Sequence, residues 1–332
     1  MIYYLQKILI LLKEANNPYK LWYHIHHYLN RKVSVKAAEF ISCRNRNDYK
    51  KQGIPDVLIP TYDGSDQIVH PDADMFNNTL MLVGTPYPYA MEEYENPCIY
   101  SGKNLNALVP LLCPIATQSI HKQGVHLSDP CLLSDLSSVY CVYRETIKES
   151  DSIFIRKYVF EKGEPCLDYK GTLLETKGFF ALSPAIIFKE DTCLLFYVKK
   201  KGDSNSLKCV VYSLPQFAKK IEYMIMVVGL PSHYQLWHIS IVNNDYKKIV
   251  SSKSPLKGLF LCVSEDDASI YKLFEASTDS PLGNWHIDSE ILIPKQYNFY
   301  IKFIYKSCYN PQNKKIILSF RDKKDRNRII EI

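Results

Sequence analysis

The stretch Gln67–Phe76, which reads QIVHPDADMF, combines a histidine, a proline and two carboxylates just before an apolar run. Related segments, with polar residues and a proline or histidine next to an apolar run, return further along the chain. Anchored on Asp72, Asp129, Ser183, His238 and Ile301, they are 57, 54, 55 and 63 residues apart. A nearly constant interval of this size indicates a repeat architecture.

Each unit continues with two further strand signals in the same order. After Gln67–Phe76 these are residues 80–84 and 97–101, and in the next unit they are residues 139–143 and 153–156. The sequence shows no amphipathic helix of convincing length between Val57 and the C-terminus. Residues 214–228 fit the strand pattern least well. Short strands with regular turn signals predict an all-β fold. Five such units of three or four strands predict a five-bladed β-propeller, whose opening strands line one axial pocket.

The first part of the chain has a different pattern. Apolar residues at helical spacing run up to about Leu12, and Asn16-Asn17-Pro18 ends them. A second predicted helix carries His24, His26 and His27, which do not share a face in the way that a zinc pair requires. We therefore predict a helical extension over residues 1–53 and a propeller over residues 54–332. The apolar run is too short to span a bilayer, although weak contact with a membrane surface stays open.

The composition narrows the class of partner. Of 332 residues, 46% are hydrophobic and 23% charged, which is typical of a soluble globular protein. The net charge is +6 with scattered lysines and arginines, a pattern that argues against a nucleic-acid partner. Ten cysteines form no C-x-x-C pair and lie mostly in apolar runs, which indicates reduced thiols and a cytoplasmic protein. We expect no cofactor and predict no metal ligand, while a channel cation such as calcium stays open.

Seven short segments lie in order along the chain, at residues 70–72, 85–88, 94–97, 128–130, 143–146, 182–184 and 237–238. They resemble those of a group of uncharacterised five-bladed propeller proteins, and the resemblance covers roughly residues 54–332. That group is similar to the glycoside hydrolase family 43 and family 32 superfamily, and its members often accompany surface-polysaccharide genes.

The resemblance implies three carboxylates at the channel mouth: an Asp base in blade one, an orienting Asp in blade two and a Glu acid in blade three. Asp72 and Asp129 match the first two by position. Ser183 stands at the third, and a serine cannot donate a proton as a carboxylic acid with a raised pKa does. Glu95, beside an Asn-Pro turn, or His238, which titrates near neutrality, could replace that acid.

Flanking polar and aromatic side chains are predicted to bind the carbohydrate, each with a structural alternative. Aspartates cap turns, a lone histidine often belongs to the core, and tryptophan often packs between blades. Asp72 and Asp74 lie on one side of a strand, where they could raise one another's pKa or hold a cation. The predicted substrate-binding residues are His70, Asp74, Arg144, Ser183 and Trp237.

The predicted function is that of a carbohydrate-active, glycoside hydrolase-like propeller acting on or recognising a surface polysaccharide or oligosaccharide. For an active enzyme, the predicted catalytic residues are Asp72, Asp129 and either Glu95 or His238. The missing blade-three Glu keeps open a catalytically inactive glycan-binding or scaffold propeller.

Overall fold

A computed structural model describes residues 57–116, 125–242, 255–323 and 325–332. The predicted N-terminal helices and their three histidines lie outside these ranges. Within them, five antiparallel sheets follow one another along the chain. The prediction of an all-β, five-bladed propeller is confirmed. Among the described residues, no helix is long and apolar enough to cross a membrane.

The first three blades are four-stranded meanders, in which each strand pairs with its neighbour in the chain. Blade one holds β1 (Ile68–Phe76), β2 (Thr79–Pro86), β3 (Cys98–Gly102) and β4 (Val109–Leu112). Blade two holds β5 (Val125–Ser134), β6 (Ser138–Ile147), β7 (Ser150–Glu161) and β8 (Glu164–Glu175). Blade three holds β9 (Phe180–Lys189), β10 (Thr192–Lys201), β11 (Ser204–Ser213) and β12 (Ala218–Ile225).

Blades four and five depart from this pattern. Blade four adds the short β13 (Val227–Val228), parallel to β17, to the meander β14 (Tyr234–Ile241), β15 (Leu256–Ser264), β16 (Tyr271–Thr278) and β17 (Trp285–Glu290). The one-turn helix α1 (Lys295–Asn298) leads into blade five, whose inner edge is split into β18 (Ile301–Ile304) and β19 (Cys308–Tyr309). Both pair with β20 (Ile316–Asp322), which also pairs with β21 (Asn327–Glu331). Short 3₁₀ turns lie at Pro88–Ala90, Glu92–Tyr94 and Leu105–Ala107.

The two ends of the described chain meet in blade five. The Val57 amide donates a hydrogen bond of 2.9 Å to the Ile329 carbonyl, so the segment before blade one pairs with the outer edge of β21. The buried Gln67 side chain also accepts a hydrogen bond from the Asn327 amide at 3.1 Å. These contacts join blade one to blade five and close the ring of blades.

Apolar side chains from neighbouring blades pack between the sheets. Trp285 is fully buried, with its ring centroid 5.2 Å from that of Phe260 and 6.3 Å from that of Phe196. The inner strands β1, β5, β9 and β14 contact one another in that order, and β19 contacts both β15 and β1. Polar residues on these inner strands are therefore brought together around one axis.

The inner strands of blades one to three share a backbone irregularity. The pairing register shifts at Val69/Asp72 in β1, at Ser128/Cys131 in β5 and where β9 faces Phe196/Val198. In each case the residue before a proline has a positive φ: 53° at His70, 52° at Asp129 and 51° at Ser183. A positive φ is uncommon outside glycine, and such backbone strain tends to cluster at functional sites.

Candidate functional site

Asp129 is the centre of a buried polar cluster on the axis. One carboxylate oxygen, Oδ1, lies 3.3 Å from Nδ1 of His70 and 3.7 Å from Nδ1 of His238. The other, Oδ2, accepts a hydrogen bond of 3.2 Å from the Ser183 amide. Asp129 is completely buried, and His70 and His238 are 6% and 5% exposed. The structure therefore brings four predicted site residues, from four blades, to one point.

The structure shifts the anchor of blade one. His70, not Asp72, has the same positive φ, the same bulge and the same following proline as Asp129 and Ser183. The resemblance placed a catalytic Asp at this point of blade one, and the equivalent residue is a histidine. Of the two aspartates matched to the resemblance, Asp129 stands at this repeated position, and Asp72 lies two residues after His70.

Asp72 lies further along β1 and binds blades two and five. Its Oδ2 accepts a hydrogen bond of 3.3 Å from the Leu132 amide and lies 3.6 Å from the Lys306 ammonium. Lys306 is completely buried and also donates a hydrogen bond of 2.6 Å to the Pro130 carbonyl. Burial would lower the pKa of Lys306, but Asp72 is the largest of several contributions that together outweigh burial and raise that pKa, so the lysine stays charged.

Asp74 lies next to Asp72 along the same strand. Its Oδ2 accepts hydrogen bonds of 2.7 Å from both the amide and the hydroxyl of Ser134 in blade two. Burial raises the pKa of Asp74 to about 6; hydrogen bonds from Ser134 oppose the rise, and nearby Asp72 adds slightly to it. The two carboxylates line a small polar cavity with Ser240 and Tyr309, separate from the cluster around Asp129.

Arg144 supplies the positive charge beside Asp129. Its Nε lies 3.3 Å from Asp129 Oδ2, and its Nη1 lies 3.6 Å from Asp151 Oδ2. The guanidinium also donates to the Ser128 hydroxyl. Burial alone would raise the pKa of Asp129, but Arg144, with smaller contributions from His70, His238 and the Ser183 amide, outweighs burial, and that pKa lies well below its usual range. The guanidinium is thus engaged by two aspartates of its own blade.

Ser183 holds blade three against blade four. Its hydroxyl donates a hydrogen bond of 2.8 Å to the Ile239 carbonyl and accepts one of 3.1 Å from the Ile239 amide. The residue is completely buried. The hydroxyl therefore uses its donor and an acceptor position to bind the backbone of blade four. The side chain is engaged in this contact between blades, where its proton is donated to the Ile239 carbonyl and not towards Asp129.

Glu95 lies beside the cluster on the loop before β3. It is 7% exposed, and its Oε2 lies 3.7 Å from Nε2 of His126. Burial raises the pKa of Glu95 well above its ordinary value, and the charge of Asp129 adds to the rise. Burial lowers the pKa of His238 to about 3 and that of His70 to about 4, although Asp129 opposes both shifts. Of the two predicted replacements for the acid, burial favours the protonated form of Glu95 and the unprotonated form of His238.

Aromatic rings border the cluster. The Tyr305 ring meets that of His70 edge-on at 5.5 Å, and Tyr87 lies 6.0 Å from Tyr305. Trp237 lies 6.4 Å from His238, with the Lys200 ammonium 4.3 Å above its ring. Tyr87 and Trp237 are both partly exposed. A pair of partly exposed rings beside buried charges suits the apolar face and the hydroxyl edge of a sugar.

Four residues of the site escaped the sequence analysis. Lys306, Asp151 and His126 carry charges or protons in the cluster, and Tyr305 borders it. Their positions along the strands correspond to no repeat anchor, since Lys306 lies between β18 and β19 and Asp151 is the second residue of β7, the third strand of blade two. One signal was available: an isolated lysine between apolar residues at Tyr305-Lys306-Ser307-Cys308 is rarely buried without a carboxylate partner.

The fold of this chain is similar to that of several solved structures. A crystal structure of an exo-1,5-alpha-L-arabinanase from a bovine ruminal metagenomic library matches with a TM-score of 0.56 at 10% identity, over 80% of this chain and 92% of that one. The GH43 endo-arabinanase from Bacillus licheniformis matches with a TM-score of 0.55 at 12% identity, over 82% and 96% of the two chains.

The chain therefore has the five-bladed fold of glycoside hydrolase family 43 propellers, as the resemblance predicted. A xylan beta-1,4-xylosidase from Bacillus halodurans also matches, with a TM-score of 0.58 at 11% identity, over 82% of this chain and 53% of that one. No protein-family model matches the sequence, and no curated protein matches it either.

Proposed function

We propose that this protein is a carbohydrate-active, glycoside hydrolase-like propeller that recognises an oligosaccharide or polysaccharide at the axial cluster. The observation that carries the proposal is the convergence of His70, Asp129 and His238 on the axis of a family 43-type propeller. Strained backbone positions and perturbed buried charges cluster at functional sites. The partly exposed Trp237 and Tyr87 supply the apolar contact that a sugar ring needs.

Recognition is better supported than hydrolysis of the usual two-carboxylate type. Such hydrolysis needs a protonated carboxyl and an ionised one on opposite sides of the glycosidic bond. Ser183 cannot provide the first, and Asp129 is completely buried and paired with Arg144, so that it is a weak base. We therefore place glycan binding first and hydrolysis second.

Binding is tested by titrating the full chain with a panel of neutral and acidic polysaccharide fragments, read by calorimetry and glycan array. We expect at least one fragment to bind, and Trp237→Ala to weaken that binding by about tenfold through the lost ring contact. The matched control is Tyr223→Ala on the outer strand β12, which is exposed and removes an aromatic ring far from the axis. If no fragment binds the parent chain, or if both variants weaken binding equally, the proposal is wrong.

A specific observation favours hydrolysis as the second candidate, namely the raised pKa of the buried Glu95. A carboxyl that stays protonated near neutral pH can donate a proton to a leaving-group oxygen. In that case Glu95→Gln lowers kcat by about 10²–10⁴-fold with a small change in KM. Because the acid form is required, parent activity falls as the pH rises through the raised pKa of Glu95.

Glu92→Gln is the matched control, because Glu92 lies 3.9 Å from the same His126 but its side chain is 67% exposed. Infrared spectroscopy of the parent and of Glu95→Gln checks the protonation state directly. A carboxylic-acid band at neutral pH that disappears in the variant is the expected result. No sugar released by a parent protein that binds the same fragment would reject hydrolysis and leave recognition standing.

A further inference from the structure

We infer that His70, Asp129 and His238 form a binding site for a first-row divalent transition-metal ion. Each of the three residues offers one ligand atom within 4.8 Å of the other two, and Nδ1 of each histidine is the nitrogen that lies next to Oδ1 of Asp129. The Oδ1–Nδ1 distances are 3.3 Å and 3.7 Å. Ligands placed tetrahedrally around an ion at about 2.1 Å are about 3.4 Å apart, so these distances suit a shared ion.

The same three atoms have no hydrogen-bond partner among the described residues. Each belongs to a side chain that is more than nine-tenths buried. A buried polar atom without a hydrogen-bond partner destabilises the folded state, because it has given up the hydrogen bonds that it would make with water. Three such atoms facing one point are explained together if an ion occupies that point, since one ion satisfies them all.

The surroundings hold the donors in place. The two oxygens of Asp129 have different roles: Oδ2 receives Arg144 and the Ser183 amide, while Oδ1 faces the histidines. Partners on the non-coordinating oxygen orient a ligating carboxylate and fix the direction of its free lone pairs. The rigid bulges of β1 and β5 fix the backbones of His70 and Asp129. The ligand atoms of His70 and Asp129 therefore belong to strands whose positions are set by the fold and do not depend on the ion.

The donor set identifies the class of ion. Two imidazoles and one carboxylate suit zinc, cobalt, iron or nickel, and leave positions for water or a ligand. Calcium prefers six to eight oxygen ligands, so the calcium ion that the sequence left open is a poor match for this point. The site does not depend on sugar binding, and it differs from the proposed hydrolysis, which uses Glu95.

Metal binding is tested on the full chain after treatment with a chelator, by titration with Zn²⁺ and with Co²⁺. We expect the parent to bind one equivalent of metal ion that His238→Ala does not bind, or binds with an affinity lower by at least about 100-fold. His70→Asn is the second variant, because asparagine tolerates the positive φ at residue 70. His126→Ala is the matched control, a partly buried histidine of the same region outside the set of three donors. Ca²⁺ is expected not to compete.

Visible absorption of the Co²⁺ form reports the ligands independently of activity. Ligand-field bands of a nitrogen- and oxygen-bound ion, present in the parent and in His126→Ala and absent in the other two variants, are the supporting result. The inference is overturned if the parent binds no more metal than His238→Ala and His70→Asn. The inference is also overturned if the Co²⁺ ion that the parent binds and the two variants lack shows the absorption of a cobalt–thiolate bond, because its ligands are then cysteines.

Discussion

Replacing Lys306 with methionine is expected to destabilise the propeller by about 3–5 kcal/mol, because the buried Asp72 carboxylate then loses its positive partner. The lysine is completely buried, 3.6 Å from Asp72 Oδ2 and hydrogen-bonded to the Pro130 carbonyl. Methionine keeps a similar volume and flexibility, so the change removes the charge with little change in packing. Urea unfolding at neutral pH, followed by circular dichroism, measures the loss.

The double variant Lys306→Met with Asp72→Asn tests whether the loss of stability comes from leaving one buried charge unpaired. Once both charges are gone, most of the lost stability is expected to return, since neither group is left buried and unpaired. The matched control is Lys302→Met on β18, whose ion pair with Asp325 is largely exposed and is worth less than about 1 kcal/mol. A Lys306→Met variant as stable as Lys302→Met would show that the buried pair does not hold blades one, two and five together.

This result bears directly on the role of Asp72. As a catalytic base, Asp72 would be dispensable for folding, and its replacement would remove activity alone. As the partner of Lys306, it is required for stability, and Asp72→Asn would impair any activity only indirectly. Its contacts with Leu132 and Lys306 support the structural role. His70 is then the residue of blade one that serves the axial site.

The repeat predicts the blades well because the propeller is built from local hairpins. Each hairpin produces its own alternation and turn signals, and residues 315–319 and 328–332 indicate β20 and β21 as clearly as the earlier units do. Even residues 214–228, the weakest part of the pattern, form strands β12 and β13. Strand content follows from short windows of sequence, which explains why the blade count is correct.

The site is harder to predict because its register is decided between strands. Asp72 and His70 both fit the interval, and only the bulge at Val69/Asp72 puts His70 level with Asp129. A register shift of this kind depends on pairing with β2 and contact with β5, and neither can be predicted from the sequence of β1 alone. Arg144 is predicted to bind the carbohydrate, whereas in the structure its guanidinium lies against Asp129 and Asp151.

Replacing Arg144 with methionine is expected to destabilise the protein by at least about 3–5 kcal/mol, because it leaves two buried carboxylates without their cation. Asp129 is completely buried and Asp151 is 1% exposed. Arg144→Lys is expected to lose less, since lysine retains the charge but cannot reach both aspartates with a planar fork. Arg156→Met is the matched control, because this arginine of blade two donates to the Tyr143 hydroxyl and the Ile115 carbonyl.

The double variant Arg144→Met with Asp151→Asn tests the argument from the other side. If the loss arises from unpaired charge, removing one carboxylate is expected to restore part of it, and a double-mutant cycle in urea gives the coupling between the two residues. Equal losses in Arg144→Met and Arg156→Met, with no recovery in the double variant, would mean that Arg144 acts through packing alone. Recovery would instead show that Arg144 stabilises the protein by neutralising the buried carboxylate of Asp151.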